Sequence, residues 1–280
     1  MDPIVFTAVI IASMFHATWN GMVKKHSNKV TAISAVILGH VPMSIIAVIF
    51  LPMPSFKSLP YIIASAFIHQ GYNWFLLKSY SLGDLTKVYP LARGFGPIIA
   101  TIISIIFLGL MISKASIISI SLVCVGILTI GLFGYKTINN FNIVKYSLIT
   151  GFFIGIYTVI DGYGARVSLS AISYMSWGFI LSAMLFPILL KINKHDNIFR
   201  NIINDGKAIF WIGGSISYLV YGVVIWGFTK APIPMVSALR ESSIVFVIFI
   251  GIFFLDEKIN LAKIISIILI FLGVIGLKIF

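Results

Sequence analysis

Arg93 and Arg240 each lie inside a long apolar run, 147 residues apart. A cation in hydrocarbon costs at least ~2.5–3.5 kcal/mol on insertion scales, so it calls for a reason. A guanidinium presents a planar fork that grips a carboxylate, phosphonate or phosphate through two parallel hydrogen bonds. The alternative role is structural, with the arginines tying helix ends together through backbone carbonyls. Two acids accompany the second arginine: Glu241 follows it directly, and Asp161 lies near the end of the sixth apolar run. Buried acids near a membrane interior are candidate proton carriers, and static neutralisation of Arg240 is the alternative.

Other polar and aromatic residues accompany these four. His16 and Asn20 are four apart and share a helix face, as do His69 and Asn73. Tyr89, Tyr157, Tyr221 and Trp177 have the chemistry to wall a substrate pocket, with core packing or an interfacial belt as the alternative. His40 reads as a bonded interior histidine. The stretch VYPLARGFGP, positions 88–97, surrounds Arg93 with Pro90, Gly94, Gly96 and Pro97. These four predict a helix break: proline removes a backbone donor and glycine admits close approach of backbone or ligand. A kink that only shapes the bundle is the alternative.

The elements that must hold these residues follow from composition. The 280 residues are 59% hydrophobic and only 10% charged, against about 25% charged in soluble domains. Ten apolar runs are present, at about 4–23, 31–51, 61–77, 88–112, 115–135, 146–165, 171–190, 208–228, 235–255 and 261–280. Each is near the ~20 residues that cross ~30 Å of hydrocarbon as a helix. A backbone in lipid must satisfy its own hydrogen bonds, so the expected class is an all-α integral membrane protein with ten transmembrane helices. The longest polar gap, Lys191–Lys207, is too short for a soluble domain. The net charge of +12 resides mainly in short loops, where it serves topology and lipid headgroups rather than nucleic acid. Cys124 is the single cysteine and excludes an internal disulfide. The first segment carries no basic n-region or small-residue cleavage site and is expected to be retained.

The chain also reads as a repeat. At an offset of 141 residues, Asn20-Gly21 meets Asp161-Gly162, Lys25 meets Arg166 and Ser27 meets Ser168. At an offset of 147, Arg93 meets Arg240, Leu108 meets Leu255 and Gly126 meets Gly273. The expected halves are 1–137 and 138–280, five helices each. An odd number of helices per half inverts the second copy, which is a transporter device with the site between the halves. Counted along straight helices, each arginine lies ~9 Å from its own face of a ~30 Å core, with ~12 Å between them.

The stretches HATWNGMVKKH, GDLTKVYPLARGFGP, YTVIDGYGAR and APIPMVSALRESSIVFVIFIGIFFLDEK resemble the drug/metabolite transporter superfamily in its ten-helix EamA-type form. Within it, the chain is similar to the branch of phosphonate-utilisation-associated membrane proteins. The resemblance covers essentially the whole chain. It implies two inverted five-helix repeats, alternating access and a bacterial inner-membrane location. The phosphate translocators, distant members, hold substrate with basic residues on helices 4 and 9, the helices of Arg93 and Arg240. Many relatives end helix 4 with Leu-Gly-Glu; here it reads Leu108-Gly109-Leu110, while the second half keeps Leu255-Asp256-Glu257.

The expected function is secondary transport of a small anionic or zwitterionic metabolite: a phosphonate, phosphate ester or amino acid. It is expected to be proton-coupled or to run by exchange, with Asp161 and Glu241 as proton sites. A flippase for a phosphate-bearing lipid is the alternative. Metal-ligand clusters, nucleophile elbows and nucleotide loops are absent from the sequence, so no enzyme activity and no cofactor or metal is expected. His195-Asp196 is an isolated pair in a charged loop. The expected partners are the substrate and the lipid bilayer, without nucleic acid, and a monomer contains both halves. Loops 1, 3, 5, 7 and 9 hold thirteen of the twenty Lys and Arg, the opposite side five, and two lie within helices. The positive-inside rule then puts both termini in the periplasm.

Overall fold

A computed structural model of the chain describes residues 1–82, 85–133, 141–195, 197–254 and 258–280. The described residues are helical with short connections. In order these are α1 (Pro3–Lys25), α2 (Lys29–Phe50), α3 (Leu59–Leu82), α4 (Leu85–Leu108), α5 (Lys114–Phe133) and α6 (Phe141–Val167). They continue with α7 (Ala171–Ile192), α8 (Ile198–Asp205), α9 (Gly214–Lys230), α10 (Ile233–Arg240), α11 (Ser243–Phe254) and α12 (Leu261–Ile279). Side-chain caps explain several starts. Asp2 accepts from the backbone N–H of Ile4 and Val5, Asn28 from Thr31, Ser170 from Ser173 and Asn260 from Lys263.

Among the described residues, nine helices are long and apolar enough to cross a membrane, counting α10 and α11 as one span and including the π-helical turn Ile209–Gly213 that opens α9. The 24-residue α3 contains the expected run 61–77 but is not one of the nine, because His69, Gln70, Asn73 and Lys78 dilute its apolar character. The expected boundary at 137/138 falls outside the described residues, as do Asp196 and the trio Leu255, Asp256 and Glu257. Gly109 closes α4 with φ +59°, and the Leu110 N–H reaches back to the Ser104 carbonyl at 3.1 Å, a left-handed helix stop suited to glycine.

Small residues set the packing that positions the site. α4 lies along α6 and α5, α3 along α6 and α7, and α1 along α9 and α11. At the α4–α6 seam a Cβ on Gly96 would meet Ile154 Cγ2 at 2.5 Å, and one on Gly151 would meet the Ala92 carbonyl at 2.7 Å. Such close backbone approach is what holds helices together where lipid is as apolar as leucine. It also corrects one expectation. α4 runs unbroken through Pro90, Gly94, Gly96 and Pro97. Gly94 fits against Leu128 of α5 and Gly96 against α6, so tight neighbours on both sides hold the helix through each lost hydrogen bond. Pro42 and Pro187 likewise lie inside helices.

The interruption comes in the second half, at the charged pair itself. α10 ends at Arg240, and the N–H groups of Glu241 and Ser242 bond three residues back, to Ala238 and Leu239, both at 3.1 Å. This tight turn separates α10 from α11. The Met1 amine lies 3.4 Å from the Lys278 carbonyl, so both termini share one end of the bundle. The charge count in the sequence predicts that this end is periplasmic. An alkaline phosphatase domain fused after Phe280 is therefore expected to be active and one fused in the 193–197 connection inactive; the reverse pattern would invert the assignment.

Candidate functional site

Eight of the expected site residues meet at one cavity. It has about 130 Å³ open to the centres of water-sized molecules. Its walls include His16 and Asn20 from α1, His69 from α3, Tyr89 and Arg93 from α4, Tyr157 from α6, Tyr221 from α9 and Arg240 from α10. Arg93 and Arg240 are 7% and 2% exposed, so both charges are withdrawn from the surface.

The two arginines share a counter-ion. Arg93 Nη1 donates to Glu241 Oε1 at 3.0 Å. Arg240 donates to that same oxygen from Nε at 3.1 Å and from Nη2 at 3.0 Å. The guanidiniums thus come much closer than the ~12 Å counted between the two positions along straight helices, because both long side chains reach Glu241, which the turn after α10 places between them. Glu241 is fully buried and does not line the cavity, while both arginines do. With two cations and one carboxylate, this cluster presents a formal charge of +1 to the cavity.

Helix α1 completes the cationic pole. Arg93 Nη2 is hydrogen-bonded to His16 Nε2. A guanidinium only donates, so His16 Nε2 accepts. Tyr89 Oη lies 2.9 Å from that nitrogen, and the Tyr89 ring sits 5.1 Å from Arg93 Cζ, a cation–π distance. Asn20 Nδ2 donates to the His16 carbonyl at 2.7 Å, and Ser13 Oγ to the Arg240 carbonyl at 3.1 Å.

Asp161 is set apart from this cluster. Its Oδ2 accepts from Tyr221 at 2.5 Å and its Oδ1 from Tyr174 at 3.1 Å. It lines a small adjoining pocket, whereas Tyr221 and His69 line both spaces. His69 Nδ1 lies 2.9 Å from the Ser65 carbonyl and so donates to it. That leaves Nε2 facing Asp161 Oδ2 at 3.9 Å. The His69 ring stacks on Tyr157 at 4.3 Å.

Trp177 lines neither space and packs against the hydrophobic core, so its expected place in the wall is corrected. Sequence reasoning missed several lining residues. Trp19 follows His16 by three, Tyr72 follows His69 by three, and Asn73 was named only as a face partner of His69. Helical spacing from either histidine points to them. His40 is bonded as expected, to Ser217 Oγ at 3.0 Å, and stacks on Phe179 at 4.4 Å, yet it too faces the cavity. Phe179 and Ser217 carry no distinguishing signal in the sequence.

The cavity is directional. Toward the connection at 26–28 it is lined by Val23, Ile33, Val36 and Leu76, while Phe179, Val220 and Val224 add apolar wall from α7 and α9. The other end is packed shut: Val5, Val9, Phe228 and Val236 are all at most 2% exposed. There Arg166 donates from Nε to the Phe228 carbonyl and from Nη2 to the Ala231 carbonyl, both at 2.8 Å, capping α9.

A mainly apolar cavity with convergent cations inside a helical bundle has the chemistry to hold a small solute. Residues 142–279 match the EamA-like transporter family. The match takes in the second half, with Asp161, Tyr221, Arg240 and Glu241. No curated protein matches the chain. Among solved structures 29 chains match, and one crystal structure superposes with a TM-score of 0.72 over 99% of this chain and 96% of the other at 12% identity. A likeness at that identity concerns the fold alone. The nine apolar helices found among the described residues make this a multi-pass membrane protein, whose second half is similar to the EamA-like transporter family.

Proposed function

We propose that this protein is a secondary active transporter that moves a small anionic or zwitterionic metabolite across a bacterial inner membrane by alternating access. The observation that carries the reading is the cavity within the bundle onto which Arg93 and Arg240 converge with a net formal charge of +1. A buried site of that charge favours an oxyanion, and phosphonates, phosphate esters and amino acids fit the chemistry. The architecture proposed is two inverted five-helix repeats, with α3 counted as a spanning helix. Both termini at one end support it, since that requires an even number of crossings. With the termini periplasmic, the cavity leads toward the cytoplasm and the packed end is the closed periplasmic gate.

Coupling to protons is proposed through Asp161 and Glu241. Tyr221 connects the main cavity to Asp161, and His69 Nε2 stands ready beside it. Purified protein in liposomes is expected to take up a radiolabelled phosphonate or phosphate ester under an imposed pH gradient. Asp161→Asn or Glu241→Gln should abolish the accompanying proton movement while binding survives. Normal gradient-driven uptake in both variants would assign the acids a structural role and leave exchange or another ion as the driving force. A substrate found to be purely cationic would end the anion reading.

A further inference from the structure

We propose that Glu241 is an internal competitor: in the empty protein its carboxylate occupies the oxyanion position on Arg93, and an anionic substrate binds by taking that position. The inference rests on the anion-transport reading above. It names the ligand more closely, as a molecule with two or more oxygens on one centre: a carboxylate, a phosphonate or a phosphate monoester.

Three features carry it. All three bonds to Glu241 converge on Oε1, while Oε2 is buried and has no partner. A permanent counter-ion for two guanidiniums would engage both oxygens side by side, the arrangement that best satisfies a fork and a carboxylate. A buried oxygen left unpaired instead marks an unfinished set of bonds. Secondly, the two ion pairs differ in kind. Arg240 and Glu241 are neighbours in the chain, so their pairing survives local movement. The Arg93–Glu241 pair crosses from α4 to the α10–α11 turn, so exchanging it for a substrate oxyanion loosens a link between the two halves. Thirdly, both arginines border the cavity, so an entering anion reaches the guanidiniums that Glu241 holds.

Charge balance follows directly. A monoanion brings the cluster from +1 to neutral with Glu241 still ionised on Arg240. A dianion brings it to −1 and requires one further proton, which the displaced carboxylate is placed to accept. The number of protons carried is therefore set by the charge of the substrate.

Calorimetric titration of methylphosphonate into the purified full-length protein tests this. Glu241→Gln removes the competitor and should tighten methylphosphonate binding about tenfold or more, the size of one charge-assisted hydrogen bond. Arg93→Gln in the same assay should weaken it. If Arg93→Gln weakens binding but Glu241→Gln leaves it equal or weaker, the competitor is overturned and the anion reading stands. If methylphosphonate, inorganic phosphate and acetate all fail to bind wild type, both fall. A second measurement needs no change at Glu241. Infrared difference spectra on adding methylphosphonate to wild type and to Asp161→Asn should both show a shifted carboxylate stretch. A bound anion with no carboxylate change overturns the proposal.

Discussion

Arg93→Gln is expected to weaken binding of an anionic ligand by about 10- to 150-fold, and Arg93→Lys to recover little of it. The range follows from one charge-assisted hydrogen bond of ~1.5–3 kcal/mol. The geometry explains why lysine is a poor substitute. Arg93 reaches Glu241 with Nη1 and His16 with Nη2 while its plane lies over Tyr89. A single ammonium on a flexible stem cannot hold two partners in a fixed fork and stack on a ring as well. Arg240→Gln should act in the same direction, since two of its nitrogens orient the shared carboxylate. Equilibrium binding to purified variants that elute as folded monodisperse protein provides the measurement. If both glutamine variants hold the same ligand with unchanged affinity, the arginines only tie helices together and the site lies elsewhere.

The sequence located the arginines but misplaced their relation. Each was measured inward from its own membrane face along a straight helix, which sets them ~12 Å apart. The helix runs unbroken through α4, where prolines suggested otherwise, and is interrupted just after α10, where no proline stands, at the residue that bridges the two side chains. Lipid explains the first case: with no water to take a freed carbonyl, a helix tightly packed by Gly94 and Gly96 continues through Pro90 and Pro97. The second case depends on a tertiary contact. The turn at Glu241 and Ser242 lets one carboxylate serve cations on two helices, and no local pattern encodes that meeting.

The same distinction separates the other residues. His16, Asn20, His69 and Tyr89 were legible because a polar side chain on an apolar face is informative by itself. Asp161 was legible as a buried acid, but its enclosure by Tyr174 and Tyr221 depends on α7 and α9 arriving beside α6. Trp177 was chosen for its type alone, and type does not say which face of a helix looks inward. Phe179, two residues further along α7, takes the cavity wall instead.

Glu241→Ala is expected to cause the greatest loss of stability among single changes at the site, ~3–5 kcal/mol, because it leaves two buried guanidiniums without their shared counter-ion. The carboxylate is 0% exposed and the arginines 2% and 7%, so solvent cannot replace it at the same positions. Removing a cation along with the acid should cost less. In Arg93→Gln/Glu241→Gln only Arg240 remains charged, and the double variant should be more stable than Glu241→Gln alone. This non-additivity is the signature of groups that act as one unit. Added anion should also restore the single variant. A ligand present at about 100 times its Kd contributes roughly 2.7 kcal/mol by mass action, which offsets a large part of the loss. Thermal melts of detergent-purified wild type, Glu241→Ala, Glu241→Gln and the double variant, each with and without methylphosphonate, measure all three effects together. A Glu241→Ala protein that melts with wild type, unaffected by anion, would mean that the carboxylate does not balance the arginines. The charge arithmetic behind the transport reading would then have to be rebuilt around a different counter-ion.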